Sequence, residues 1–109
     1  MEIVSEKYNY KTLTLLIGEK VRVIDSQEHS VFLTISEVIK NKLDGDEWEA
    51  FSVVYTGENN FRIAQGTYTF QHDSFGEKNL FLSPNGETEY ETVITRKRNV
   101  AEEENADCV

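Results

Sequence analysis

Turn-forming residues recur along the chain at intervals of about eight to twelve residues, and this spacing limits the possible folds more than any other feature. The candidate turns lie at Gly18, 25–29, 44–46, 57–60, Gly66, 73–78 and 84–87. The segments between them are rich in β-branched and aromatic residues, which favour strands over helices. The sequence therefore predicts an all-β fold.

Alternation of apolar and polar residues locates the strands more closely. The apolar positions that share a face within one segment are Val21 and Val23; Val31, Leu33 and Ile35; Phe51, Val53 and Tyr55; Phe61 and Ile63; Tyr68 and Phe70. The first two segments predict a hairpin, and the pair Phe61 and Ile63 predicts a short strand of its own. Residues 37–44 fit either a continued strand or a single helical turn.

The most specific local signal is a hairpin over residues 79–96. Its turn, Ser83-Pro84-Asn85-Gly86, fits a type I turn in which Pro84 fixes the first φ and Gly86 takes a positive φ as a G1 bulge. The first strand of the hairpin is apolar on both faces, which predicts a central strand with Phe81 in the core. In the second strand Glu91 and Val93 alternate with the buried positions, which predicts one face exposed to solvent.

The two ends of the chain differ from its middle. Leu13, Leu16 and Ile17 predict one or two helical turns over residues 10–17, ended by Gly18. We expect a single β domain over residues 1–95, built as a partly open antiparallel barrel or a two-sheet sandwich of about six to eight strands. Residues 96–109 are expected to form a charged, flexible tail that contains the only cysteine, Cys108.

Length, charge and hydropathy exclude several classes of protein. The 109 residues are enough for one domain. No apolar run approaches the roughly 20 residues of a membrane helix, and residues 1–11 lack the apolar core of a signal peptide. The net charge of -9 argues against binding to nucleic-acid backbones, which requires clustered Lys and Arg. We therefore expect a cytoplasmic protein that binds neither membranes nor nucleic acid.

The residue types used in catalysis are present without the spacing that catalysis needs. His29 and His72 both fall at predicted turns, where we expect them to face water. The run His72-Asp73-Ser74 contains the three residue types of a catalytic triad, but triad members usually converge from separate elements. The start of a calcium loop at residues 44–46 lacks the later ligands. We predict a non-enzymatic protein without cofactor or metal.

Four residues are candidates for contact with a partner: Glu87, Glu89, Glu91 and Trp48. The glutamates alternate along the last predicted strand, so they would face one way and meet a basic protein or a cation such as calcium. As solvated charges they would also block edge-to-edge aggregation. Trp48 is the only tryptophan, a residue type favoured in interface hot spots, although capping the core from a loop is the more ordinary role for it. From these residues we predict a protein-interaction module with a basic partner.

A second hypothesis is a small-ligand carrier whose barrel interior is lined by aromatic rings. The candidate lining residues are Tyr55, Phe61, Tyr68, Phe70, Phe75, Phe81 and Tyr90. Barrels of this size usually fill their interior with side chains. The carrier hypothesis therefore requires a cavity of about 300 Å³ or more, the lower end of the range for ligand sites.

Several blocks of the sequence carry a family resemblance. They are residues 15–21 (LLIGEKV), 51–57 (FSVVYTG), 64–72 (AQGTYTFQH), 80–84 (LFLSP) and 90–94 (YETVI). Their order over residues 10–95 resembles a family of small bacterial proteins of unknown function. The resemblance implies an accessory or assembly role, because members of that family are often encoded near phage-tail-collar-like proteins. The chain departs from the family pattern in its tight turn at residues 84–86 and in its acidic tail.

Overall fold

The computed structural model describes residues 7–97, which form a closed antiparallel barrel preceded by one short helix. The elements are α1 (Tyr10–Leu15), β1 (Lys20–Ile24), β2 (Ser30–Lys40), β3 (Trp48–Thr56), β4 (Gly66–His72), β5 (Gly76–Pro84) and β6 (Glu89–Lys97). Around the barrel the strands follow the order β1-β2-β3-β6-β5-β4, and β4 pairs with β1 to close the sheet. The all-β prediction is confirmed, with six strands in a barrel.

The barrel has two ends, which we name by the connections that lie there. At the lower end are α1, the loop 41–47 and the turn 73–75; at the upper end are the turns 25–29 and 85–88 and the loop 57–65. Strands β3 and β6 pair along their whole length. Strands β5 and β6 pair only near the upper end, at Ser83 with Glu91 and Pro84 with Tyr90. The most regular part of the sheet is therefore centred on β3.

Strands β1 and β2 form the hairpin that the alternation predicts. Val21 pairs with Leu33, and both side chains are buried in the core. The turn between the strands is closed by Asp25, whose Oδ1 accepts hydrogen bonds from the backbone N–H groups of Gln27 and His29 at 2.9 and 2.8 Å. A short polar side chain thus supplies the acceptor that a tight turn requires.

Strand β2 runs on to Lys40, so this part of the ambiguous segment is a strand. Its register with β3 shifts immediately before Glu37, which makes a β-bulge at Ser36. The Ser36 hydroxyl donates a hydrogen bond to the Val54 carbonyl at 3.1 Å. Strict alternation would have turned Glu37 inward, and burying an unpaired carboxylate is costly. The bulge instead places Glu37 and Ile39 on the outside of the barrel.

The strand predicted at Phe61 and Ile63 is wrong, because residues 57–65 form a loop. The Ile63 N–H donates a hydrogen bond to the Tyr90 hydroxyl at 3.1 Å rather than to a neighbouring strand. The Arg62 guanidinium donates to the carbonyls of Asn59 and Phe61 at 3.2 and 2.9 Å. Side chains therefore satisfy backbone groups that a sheet would otherwise pair. The apolar periodicity of the sequence does not reveal these hydrogen bonds.

Strands β5 and β6 form the predicted hairpin with a different turn. Residues 85–88 separate the strands, and the Asn85 N–H donates a hydrogen bond to the Glu89 carbonyl at 2.8 Å. Gly86 does not have a positive φ, so the predicted G1 bulge is wrong. The Gly57 N–H donates to the Thr88 carbonyl at 2.7 Å. This contact with the loop 57–65 supports a wider turn, which needs no left-handed residue.

The short helix α1 confirms the predicted helical turns at the start of the chain. Asn9 is its N-cap, with Oδ1 accepting a hydrogen bond from the Thr12 N–H at 2.8 Å. After the helix Gly18 has a φ of +95°, and its N–H donates to the Ile35 carbonyl at 2.7 Å. Leu13 is buried in the core of the barrel. No helix within residues 7–97 is long and apolar enough to cross a membrane.

Strand β6 extends two residues past the predicted end of the domain. Arg96 and Lys97 are therefore part of the barrel rather than of the predicted tail. Arg96 Nη2 lies 2.9 Å from Glu49 Oε1 and donates a hydrogen bond to the Tyr8 carbonyl at 2.7 Å. The rest of the predicted tail, with Cys108, lies outside the described residues.

Candidate functional site

The described part of the barrel exposes several large apolar side chains. They are Leu15, Ile17, Phe32, Ile39, Leu43, Trp48, Phe81 and Val93. Single apolar side chains are ordinary on a protein surface, whereas a contiguous group of them marks a contact surface. The register of the strands decides which of these side chains are neighbours.

Three of the exposed apolar side chains lie on the outward faces of β2, β6 and β5. Ile39 on β2 and Val93 on β6 both pair with Ser52 on β3. Phe81 on β5 lies two residues below Ser83, which pairs with Glu91 on β6. The exposed fractions of Ile39, Val93 and Phe81 are 43, 60 and 52%. We call these three side chains the outer apolar row.

A second line, two residues further toward the upper end on each strand, carries carboxylates. Glu37 on β2 and Glu91 on β6 both pair with Val54 on β3. Glu91 Oε1 accepts a hydrogen bond from Asn85 Nδ2 at 3.0 Å. Neither carboxylate forms an ion pair within residues 7–97. We call Glu37 and Glu91 the acidic row.

Two residues toward the lower end from the outer apolar row, the positions on the outer face carry no unpaired charge. There Ala50 on β3 pairs with Thr95 on β6, and the Asn41 N–H donates a hydrogen bond to the Ala50 carbonyl at 2.9 Å. The nearby Asp44 carboxylate is largely buried, accepts a hydrogen bond from the Ala50 N–H at 3.0 Å and lies 4.0 Å from Lys40 Nζ. The outer face is therefore acidic on one side of its apolar row only.

The three glutamates that the sequence singled out do not form one row. Glu87 lies in the turn 85–88, and its Oε1 is 3.8 Å from Arg62 Nη2. Glu89 and Glu91 share the outward face of β6. Within residues 7–97 no three His, Cys, Asp or Glu side chains are grouped to hold a metal ion. The role of these glutamates in binding a partner stays a prediction.

Trp48, the fourth predicted contact residue, lies at the start of β3 near the lower end. It pairs with Lys97 on β6, and its side chain is 36% exposed. Along β3, Trp48, Ala50 and Ser52 alternate with inward positions. Trp48 is therefore at the lower edge of the face that carries the outer apolar row, and its predicted role in binding stays a prediction.

Sequence reasoning missed most of this face. Phe81 was expected in the core, but Leu80 and Leu82 are the residues of β5 that point inward and are buried. Period-two alternation places Phe81 opposite Leu80 and Leu82 but does not determine which of the two faces is buried. Ile39 and Glu37 were missed because their orientation depends on the bulge, for which the sequence has no clear signal.

A cleft of about 170 Å³ opens at the upper end, between the turn 25–29 and the loop 57–65. Its apolar lining comes mainly from Val23, Val31, Phe61, Ile63 and Tyr68, with Asp25, His29 and Arg62 as its charged members. Hydrogen bonds from the backbone N–H groups of His29 and Gln27 lower the pKa of Asp25. The Asp25 carboxylate therefore stabilises the turn 25–29. The volume of the cleft is below the roughly 300 Å³ at which ligand sites begin.

A cluster of hydroxyl groups lies in the barrel interior, where Tyr8 from the segment before α1 meets Tyr55 of β3 and Thr92 of β6. Tyr8 Oη lies 2.6 Å from Tyr55 Oη and 2.8 Å from Thr92 Oγ1, and all three side chains are buried. Burial raises the pKa of Tyr8 to about 12. Burial and the neighbouring Tyr8 hydroxyl raise the pKa of Tyr55 well above its ordinary value. Both phenols stay neutral at physiological pH and hold the segment before α1 in place.

His72 does not face water as the sequence predicted, although His29 does. The His72 side chain is only 12% exposed, and its ring stacks on Phe75. Its Nδ1 accepts a hydrogen bond from the Ser74 backbone N–H at 2.9 Å, so the proton is on Nε2, which donates to Glu19 Oε1 at 2.9 Å. The hydrogen bond from Ser74 to His72 thus comes from the backbone N–H group and not from the hydroxyl group, which a catalytic triad would use.

The fold and the outer face together define a small closed barrel with an apolar row on its outside. This chain belongs to the family described as Domain of unknown function (DUF6916), whose model matches residues 8–94. The matched range starts at Tyr8 of the buried hydroxyl cluster and ends within β6. The match confirms the resemblance to a family of unknown function. No curated protein and no solved structure matches the chain.

Proposed function

We propose that this protein is a non-enzymatic protein-binding module and that it binds its partner through the outer face of β5, β6, β3 and β2. The observation that carries the proposal is the outer apolar row, in which each side chain is at least 43% exposed. Removing a large apolar side chain from water contributes roughly 1.5–3 kcal/mol when burial is complete. Three exposed apolar side chains on one outer face are therefore a substantial source of binding free energy.

The rigidity of the surrounding sheet also supports this face as a preformed contact surface. Strand β3 pairs with β2 on one side and with β6 along its whole length on the other. Residues on paired strands are held more precisely than residues on loops, so less conformational entropy is lost on binding. Ile39 and Val93 are thus presented with a fixed spacing on the two sides of Ser52.

The proposal extends to the setting in which the module acts. A binding module without its own reaction fits the accessory or assembly role, in a phage-tail-like context, that the family resemblance implies. We place this role in the cytoplasm, in keeping with the acidic composition. The partner is a protein, and neither nucleic acid nor a membrane is part of the proposal.

The small-ligand carrier is the weaker candidate. The upper cleft, at about 170 Å³, has roughly half the volume that a small-ligand site usually needs. Of the aromatic residues expected to line a cavity, Tyr55, Phe70 and Tyr90 are packed in the core. Phe81 points outward and takes no part in an interior site.

The test compares capture of a partner by matched surface variants of the full-length protein. The double variant Ile39→Thr, Val93→Thr removes apolar surface from the row and keeps β-branched residues, which preserves strand propensity. The control is Phe32→Thr, because Phe32 is equally exposed on β2 but lies outside the row. We expect a stoichiometric partner purified with the wild type to be kept by the control and lost by the double variant.

The thermal stability of each variant separates loss of binding from loss of the fold. Exposed substitutions of this kind usually change the free energy of unfolding by about 0.5 kcal/mol or less. A partner that is retained by the double variant, in a protein of unchanged stability, would overturn the assignment of this face.

A further inference from the structure

We propose that the partner carries two basic side chains, about 10 Å apart, on one side of its apolar contact, where they meet the acidic row. This inference rests on the proposed function and adds the chemistry and orientation of the partner. It follows from the layered arrangement of the outer face, in which the outer apolar row lies between Glu37 with Glu91 above and neutral positions below.

The spacing of the acidic row follows from sheet geometry. Glu37 and Glu91 are both paired with Val54, so one strand separates them. Two steps between neighbouring strands are about 10 Å. The acidic row is displaced from the outer apolar row by two residues, or about 7 Å along each strand. A partner therefore presents its two cations on a line parallel to its apolar contact.

The electrostatics of the face favour a basic partner over a second copy of this chain. The chain has a net charge of -9, so two copies repel each other. Neither Glu37 nor Glu91 forms an ion pair within residues 7–97. On the lower side, by contrast, Asp44 lies near Lys40 and is largely buried. A partner consequently needs positive charge only on the side that meets the acidic row.

A pair of synthetic peptides tests this chemistry directly. Each is a helix of about 18 residues with a leucine stripe, flanked on one side by two charged residues at positions i and i+7, which are about 10.5 Å apart. One peptide carries lysine at these positions and the other glutamate. We expect the lysine peptide to shift the backbone NMR signals of β2, β3 and β6 around Ile39 and Val93, and the glutamate peptide to leave them unchanged.

Two charge variants of the full-length protein separate the acidic row from the general charge. Glu37→Gln, Glu91→Gln removes the row, and Glu28→Gln, Glu58→Gln removes the same charge from exposed positions at the upper end. We expect the first variant to bind the lysine peptide about tenfold more weakly at about 0.1 M salt, because it loses two exposed ion pairs, each of which contributes modestly. We expect less than about a twofold change for the second, since distant exposed charges are screened.

Each alternative outcome has a distinct meaning. Equal weakening by both charge variants, or equal binding of both peptides, would overturn the one-sided contact. Failure of the lysine peptide to bind, while a captured partner still depends on Ile39 and Val93, would overturn this inference and leave the proposed function standing. A dimer seen by sedimentation equilibrium and lost in Ile39→Thr, Val93→Thr would show that a second copy occupies the face, against the inference.

Discussion

The start of the described chain is fixed by polar contacts that reach across the barrel. The Tyr8 hydroxyl lies within hydrogen-bond distance of Tyr55 and Thr92, and the Tyr8 carbonyl accepts a hydrogen bond from Arg96. Glu49 Oε2 accepts a further hydrogen bond from the Tyr10 N–H at 3.1 Å. Buried polar groups stabilise a fold only when they are all satisfied. Each of these side chains therefore depends on the others.

Replacing Tyr8 by Phe tests this dependence. The variant leaves the hydroxyl groups of Tyr55 and Thr92 without their shared partner, so we expect a loss of about 1–3 kcal/mol in the free energy of unfolding at neutral pH. Urea unfolding measures the loss. The control is Tyr68→Phe, whose hydroxyl donates to the Ala64 carbonyl outside the core. A loss no larger than that of the control would contradict the account of the cluster.

The same variant has a signature in alkali. The pKa of Tyr8 is about 12 in the folded protein, against an ordinary value of 10.0. A raised folded pKa gives a stabilisation that is complete below pH 10 and is lost as the pH rises toward about 12. We expect wild-type stability to fall more steeply above pH 10 than that of Tyr8→Phe. Identical slopes for the two proteins would show that folding does not raise the pKa of Tyr8.

Among the elements, β2 has the largest effect on the candidate site. Its first half follows the alternation of the sequence, and its second half follows the bulge at Ser36. The bulge moves Glu37 and Ile39 outward, and both then lie on the proposed contact face. One extra residue in a strand thus determines which side chains a partner meets.

Deleting Ser36 tests the function of the bulge. Without Ser36, Glu37 follows the inward-facing Ile35 directly, and strict alternation keeps the Glu37 carboxylate outside. We therefore expect the deletion to cost no more than about 1 kcal/mol in the free energy of unfolding, similar to Ser36→Ala, which keeps the extra residue and removes only the hydrogen bond to Val54. Chemical denaturation compares the two variants. A loss of about 3 kcal/mol or more from the deletion, as expected for an unpaired buried carboxylate, would contradict this account of the bulge.

How far the elements follow from the sequence depends on whether local residues decide them. The β1–β2 hairpin, β3 and β6 follow from alternation, because one face of each strand is buried. Gly86 and the segment around Ile63 were predicted wrongly, since contacts with Thr88 and Tyr90 override local preference. Phe81 was misplaced because an apolar run does not reveal which of its faces is covered.

On the scale of the whole molecule, the closed barrel of residues 7–97 packs its core inside and presents the outside of the sheet to solvent. The core cluster occupies the interior, and the cleft at the upper end is small. An exposed apolar row on an otherwise ordinary barrel would promote self-association. The flanking carboxylates of the acidic row and the net charge of -9 oppose it. In the proposed function the face therefore combines attraction for a basic partner with repulsion between copies.

Photo-crosslinking from defined positions of the full-length protein, inside its native host, tests the central claim most directly. A benzophenone side chain is placed at Val93 or Ile39 in the outer apolar row, or at Arg22, which is exposed on β1 outside the face. The account predicts that positions 93 and 39 give a covalent adduct with the same protein and that position 22 does not. An adduct formed from Arg22 and absent from Val93 and Ile39 would contradict it.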